Sequence, residues 1–167
     1  ALKVANILGL DINEAIKSIN TFETLSHRME YVGTYNEIKF YDDAIATIPE
    51  ATINSIEALK EVDTLIFGGL NRGVDLQSLI DYLDKGIVRN LLCMPETGYV
   101  IADALTNQDI NIFKVETMEE AVELAFNHTL PSKVCLLAPA AASYNKYKNF
   151  EEKGNHYKEL VKTYNTK

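Results

Sequence analysis

The sequence predicts an α/β protein: a Rossmann-like three-layer domain around a mostly parallel sheet, preceded by a short helical N-terminal segment. Short apolar runs that read as strands alternate with longer amphipathic stretches, the pattern of βαβ units and parallel pairing. Several of these runs, among them Thr64–Phe67 and Val134–Leu137, are apolar without polar alternation, as strands covered on both faces are. Two segments rich in small and hydroxyl residues, 41–51 and 138–144, follow such runs where a strand gives way to a helix. In an open α/β sheet that carboxyl edge is where ligands bind.

The elements follow in chain order. Leu2, Ala5, Ile7 and Leu8 make one apolar helical face. Asp11 followed by Glu14 opens a second helix in the manner of a capping box, with Ile12, Ala15, Ile16 and Ile19 expected to point inward. From Asn20 to Arg28 the periodicity lapses into a linker, so residues 1–26 stand apart from a main domain over 27–167. Met29–Thr34 and Glu37–Asp42 read as paired strands joined at Tyr35-Asn36. Pro49 and Glu50 start a helix carrying Ile53, Ile56 and Leu59, proline being tolerated in a first turn. Thr64–Phe67 is a strand ending in Gly68-Gly69, and Leu76–Leu83 a helix. Strands at Ile87–Cys93, Ile110–Val115 and Val134–Leu137 alternate with helices at Glu96–Leu105, Met118–His128 and Asn149–Tyr164.

Composition narrows the function. The chain has 167 residues, enough for one well-buried domain with a small appendage. A net charge of −8 argues against nucleic acid and against an anionic membrane, both of which need clustered Lys and Arg. No apolar run is long enough to span a bilayer. Cys93 and Cys135 each lie inside an apolar strand-like run, where buried free thiols are the simpler reading than a disulfide or a metal pair. His and Cys show no zinc-site spacing, and a reducing, cytoplasmic setting is expected.

The candidate site residues cluster at the turns. Gly68-Gly-Leu-Asn-Arg-Gly73 follows a strand and precedes a helix, but is neither a dinucleotide fingerprint nor a phosphate loop. Arg72 on this turn could grip a carboxylate bidentately, against the simpler reading of a solvated surface arginine. Asp43 could cap its turn or accept from a ribose hydroxyl, and Thr47 reads first as a helix N-cap. After Pro139 and three alanines, Ser143 adds a hydroxyl where backbone N–H groups can approach an anion. No His and acid stand near it in sequence, so it is not read as a nucleophile. His27-Arg28 reads as a solvated pair in the linker, His128 and His156 as helix-surface residues, and Tyr144, Tyr147, Phe150 and Tyr157 as packing.

Together these segments resemble the C-terminal domain of the Mur ligase family, over essentially the whole chain. His27-Arg-Met-Glu30 looks like the family's interdomain His-Arg-x-Glu, and Asp43-Ala-Ile-Ala-Thr47 like its Asp-Ser-x-Ala-Thr. Pro139–Ser143 with Lys148-Asn-Phe150 and Lys153-Gly154 looks like its Ser-Pro-Ala-x-Ala-Ser…Asn-Phe…Arg-Gly signature. The similarity is greatest to the branch that adds D-glutamate to UDP-N-acetylmuramoyl-L-alanine in cytoplasmic peptidoglycan precursor synthesis. It implies an ATP- and Mg2+-dependent reaction in which the acceptor carboxylate is phosphorylated and the amine of D-glutamate then attacks it. The phosphate loop, magnesium ligands and catalytic lysine of that family lie in a central domain. Residues 1–26 would then be that domain's helical tail plus linker, and the chain a catalytically silent fragment without catalytic residue or metal site of its own.

The resemblance implies that Arg28 and Asp43 contact nucleotide, Arg28 near phosphate and Asp43 near ribose. Thr47, Arg72, Ser143 and the backbone at Phe150 would hold the two carboxylates of D-glutamate. Ala44 and Ala138 stand where the family commonly has serine, Asn145 where it has an acid, Lys153 where it has arginine, and Arg72 where lysine is frequent. Two other readings remain: a stand-alone Rossmann-like module binding a nucleotide or small acid without catalysis, and an interaction domain acting through its acidic surface.

Overall fold

The structure is a computed structural model that describes residues 2–21, 25–144 and 146–164. Its core is a six-stranded sheet made of β1 (Glu30–Tyr35), β2 (Ile38–Asp42), β3 (Val62–Phe67), β4 (Asn90–Cys93), β5 (Asn111–Lys114) and β6 (Val134–Leu137). They lie in the order β1-β2-β6-β3-β4-β5, and all pairings are parallel except β1 with β2. Among the described residues seven helices accompany it: α1 (Leu2–Ile7), α2 (Ile12–Asn20), α3 (Pro49–Leu59), α4 (Gln77–Leu83), α5 (Thr97–Ala104), α6 (Met118–His128) and α7 (Phe150–Tyr164). The predicted fold class holds.

Side chains alternate across the sheet with the two-residue period of a strand. Leu65, Phe67, Leu91, Cys93 and Leu136 enter one core with Ile56, Leu79, Leu83 and Ile101 of α3, α4 and α5. Phe40, Ile66, Leu92, Cys135 and Leu137 enter the other with Met118, Ala121, Val122, Tyr157 and Val161 of α6 and α7. The chain steps β2 to β3 to β4 to β5 with helices on one face. It then returns to β6, between β2 and β3, over the other face, as right-handed crossovers place them. The loop leaving β2 therefore runs to α3 on one face, and the loop leaving adjacent β6 runs to α7 on the opposite one. Diverging connections open a crevice at the strands' carboxyl ends.

The differences from expectation are local. The hairpin turn is Asn36-Glu37, not Tyr35-Asn36, because both central residues carry positive φ (49° and 63°) as a tight hairpin turn requires. β4 begins at Asn90 instead of Ile87, since Val88 is buried by packing before the strand pairs. Asp11 caps α2 as expected, accepting from the backbone N–H groups of Asn13 and Glu14. Ile12, Ile16 and Ile19, however, are exposed. An inward face needs an uncovered surface to meet, and α3–α7 already cover both faces of the sheet. Phe22, Glu23 and Thr24 of the expected linker, and Asn145, lie outside the described residues. Among the described residues no helix is long and apolar enough to cross a membrane.

Candidate functional site

Three turns converge at the carboxyl ends of β2, β6 and β3. Gly68 N–H donates to Pro139 O (2.9 Å), Leu70 N–H to Ala142 O (2.8 Å), Ala140 N–H to Ala46 O (2.9 Å) and Asp43 N–H to Leu137 O (2.8 Å). These bonds join the 43–47, 68–73 and 138–143 segments into one surface. The Ala140 N–H is thereby used inside the protein and is not offered to an anion, and Ala140 takes a positive φ of 54° to make that bond.

A hollow of about 200 Å³ opens between these turns and the start of α7. Thr47, Arg72, Ser143 and Phe150, brought from three distant parts of the chain, all line it. A neighbouring hollow of about 260 Å³ shares Thr47 and Arg72 and extends to Asn71, Thr97 and the 140–142 alanines. Arg72 is exposed, its guanidinium carried on the tip of the glycine turn. Thr47 is not the N-cap of α3: that position is Ile48, with no side-chain cap bond. Thr47 lies one residue before that cap position, and no bond from its hydroxyl to the first turn of α3 is recorded.

Ser143 is the informative residue. It is 3% exposed, and among the described residues its Oγ is the one buried side-chain polar atom without a hydrogen-bond partner. Buried polar atoms are nearly always paired, so an orphan lining a hollow is a place for a ligand atom.

Arg28 and Asp43 also meet, but in a different hollow of about 290 Å³, with Asn54 and Ser55. Ile45 lines both this hollow and the 200 Å³ one. Asp43 is buried: Oδ1 accepts from the Met29 N–H (3.0 Å) and Oδ2 from the Ser55 hydroxyl. Asp42 beside it accepts from the Ala44 N–H (2.9 Å) and faces His27 Nδ1 at 2.7 Å. Burial raises the Asp42 carboxyl, against the lowering pull of His27 and the Ala44 N–H.

His27 is therefore not a solvated linker residue: it is 5% exposed and pinned against Asp42. Its carbonyl accepts from Ile45 N–H (3.3 Å), and its own N–H donates to Glu30 Oε2 (2.8 Å). Lys158 of α7 pairs with the same Glu30 carboxylate at 2.9 Å. Burial raises the Glu30 carboxyl, but the His27 N–H, Lys158 and Ser26 together hold it below its usual value. Held on both sides, Arg28 belongs to the domain. His27, Glu30 and Asp42 are the one grouping of three potential metal ligands among the described residues, and the Lys158 ammonium already serves it.

Two features escaped sequence reading. Lys153 is 2% exposed and donates to Gly68 O at 2.7 Å, and burial pushes its ammonium down to about 7. Gly154 leaves room for the His27–Asp42 pair, since a Cβ there would lie 2.2 Å from His27 Nδ1. Both were visible only as a Lys-Gly pair. Tyr144, expected to pack, is 62% exposed beside the hollow, whereas Tyr157 is buried as expected. His128 and His156 are half-buried, and both cysteines are buried and free.

Comparison with known proteins places the fold and its relatives. The model of the family described as "Mur ligase, glutamate ligase domain" matches residues 27–141. The UDP-N-acetylmuramoylalanine--D-glutamate ligase of Lactobacillus gasseri is 36% identical over the whole chain. The ligase of the same name from Caldanaerobacter subterraneus is 35% identical over 96% of it. The chain spans 36% of the length of each. Among solved structures, UDP-N-acetylmuramate-alanine ligase MurC of Thermotoga maritima matches with a TM-score of 0.66 at 16% identity, over 98% of this chain and 36% of that one. MurF ligase of the same organism, in complex with ADP, matches at 0.63 and 17% identity, over 98% and 37%.

Proposed function

The chain belongs to the family of the Mur ligase glutamate ligase domain, and on that premise we propose that it is the amino-acid-holding domain of a cytoplasmic ligase joining D-glutamate to UDP-N-acetylmuramoyl-L-alanine. The observation that carries this reading is the 200 Å³ hollow lined by Thr47, Arg72, Ser143 and Phe150, with its unpaired buried hydroxyl. D-glutamate brings two carboxylates, and such a dianion needs a cation and several neutral donors. Arg72 supplies the planar fork that matches one carboxylate. Ser143 and Thr47 supply hydroxyl donors, and Phe150 opens α7, where its own N–H has no acceptor within the helix while the Glu152 N–H is capped by Asn149 Oδ1 (2.9 Å). Held at both ends, the amino acid presents its amine to the activated acceptor, and that orientation is the domain's contribution to rate.

Arg28, exposed at the rim of the other hollow, is assigned to a nucleotide phosphate and Asp43 to the ribose. ATP supplies the phosphoryl group that activates the acceptor carboxylate. Magnesium is assigned to no residue at this edge, since each oxygen of Asp42 and Asp43 already faces a donor or His27 inside the protein. Beyond the Arg28 contact, neither the triphosphate nor the metal is assigned to a residue of this chain, and residues 27–167 on their own are expected to be catalytically silent.

The test is ADP release and ligation product from the whole protein carrying this domain, given ATP, Mg2+, UDP-N-acetylmuramoyl-L-alanine and D-glutamate. Product that needs all four supports the reading. ADP release indifferent to D-glutamate would favour a nucleotide-binding module instead.

A further inference from the structure

Lys153 is a buried lysine at the first turn of α7 for which no ion pair is recorded among the described residues. Such a group is costly to bury, so the bond it makes repays attention. That bond, 2.7 Å from Nζ to the Gly68 carbonyl, bridges 85 residues of sequence. Gly68 opens the turn that carries Arg72, and Lys153 lies one helical turn beyond Phe150. Arg72 and Phe150 are two walls of the same hollow.

The base of that turn is already gripped on its other sides. Gly69 O accepts from the Glu96 and Thr97 N–H groups (3.2 and 3.1 Å), and Leu70 N–H is bonded to Ala142 O. A Cβ on Gly68 would lie 2.2 Å from Met94 O, and one on Gly69 would lie 2.4 Å from Ala142 O. The turn is thus threaded between the β4 and β6 loops, and Lys153 is what fastens it to α7. Beyond Leu70 the bonds of residues 71–73 are exposed ones, from Asn71 N–H to Glu96 (3.3 Å) and from Gly73 N–H to Asn71 (2.9 Å). The placement of Arg72 is inherited from the base.

We infer that Lys153 is a positioning residue for the amino-acid site, a strut between α7 and the Gly68–Gly73 turn that sets the gap between Arg72 and Phe150. The inference rests on the D-glutamate reading above and adds a residue that never touches the amino acid. A strut acts on the fit of one substrate. Loss of the bond therefore raises KM for D-glutamate while ATP, assigned to the Arg28 hollow, is bound as before.

The experiment is steady-state kinetics on the whole ligase with Lys153→Met, Lys153→Gln and Lys153→Arg, alongside Arg72→Ala. Lys153→Met keeps length without a donor, and Lys153→Gln is too short to reach. Each is expected to raise KM for D-glutamate about tenfold, the loss of one buried hydrogen bond, with KM for ATP within twofold. Lys153→Arg keeps a donor and is expected to restore KM to within about threefold. Equal rises in both KM values, an unchanged KM for D-glutamate, or failure of both Met and Gln variants to fold would each overturn the strut and make Lys153 a stability residue. Should Arg72→Ala itself leave KM for D-glutamate unchanged, the D-glutamate reading falls and the strut with it.

Discussion

The two hollows at the carboxyl edge share Ile45 as a wall, yet their buried polar groups are in opposite states. On the linker side every carboxylate oxygen of Asp42 and Asp43 faces a partner inside the protein. On the amino-acid side the Ser143 hydroxyl, equally buried, has none. Satisfied buried groups hold a fold together, whereas an unsatisfied one costs stability and is kept where a ligand will pair with it. The linker side thus fixes residues 27–30 onto the domain, and the nucleotide contact proposed for it comes second. The amino-acid side is built to be completed.

The largest expected effect falls on the satisfied side. Asp43→Ala strands the Met29 N–H and leaves the Ser55 hydroxyl only the Ala51 carbonyl (2.9 Å) to donate to, so unfolding in urea should show a loss of roughly 2–4 kcal/mol. In the variant that remains folded, KM for ATP should rise more than KM for D-glutamate. A stability loss under about 1 kcal/mol would erase the contrast between the hollows. Next in size is Arg72→Ala, which removes the one cation lining the amino-acid hollow. Losing a charged hydrogen-bond partner is worth roughly 1.5–3 kcal/mol, so kcat/KM for D-glutamate should fall about tenfold to a hundredfold. Because Arg72 is exposed, the melting temperature should stay put. Arg72→Lys should fall in between, charge surviving without the fork.

Much of this was legible in the sequence because it is local. α6 matches its predicted span, set by the Thr117 cap and by apolar residues at helical spacing, and β6 matches because four apolar residues stand alone. The four amino-acid-side residues came from a family resemblance, and the fold brings them to one hollow. What stayed hidden is non-local. His27 is buried by Asp42, 15 residues away, and Lys153 by a carbonyl 85 residues away, so neither leaves a periodic trace. Thr47 misled for the opposite reason. A hydroxyl before a helix start spells a cap, but the chain places Ile48 and Pro49 between it and the N–H groups it would serve.

Lys153 gives the contrast a pH signature. Its ammonium drops from 10.5 unfolded to about 7 folded, through burial. Between those values the unfolded chain holds the proton and the folded chain does not, so stability rises with pH, by about 1.4 kcal/mol per pH unit. Cys93 and Cys135 oppose this above pH 9, since burial raises each thiol from 9.0 to about 12 and the unfolded thiols ionise first. The window is therefore pH 7 to 9. Chemical denaturation of wild type and Lys153→Met across it should show wild type gaining on the variant, and a difference independent of pH would refute the burial of a neutral amine.

The smallest effect is the most direct test of the unsatisfied hydroxyl. Ser143→Ala should leave the folded protein as stable as wild type or more stable by up to about 1 kcal/mol, because no partner is lost. Its KM for D-glutamate should nevertheless rise about twofold to tenfold, the worth of one neutral hydrogen bond, with KM for ATP unchanged. Melting temperature and the two KM values, measured on the same preparation, decide it. A variant that is destabilised while its KM for D-glutamate stays at the wild-type value would show that the hydroxyl serves the fold and that the amino acid binds elsewhere.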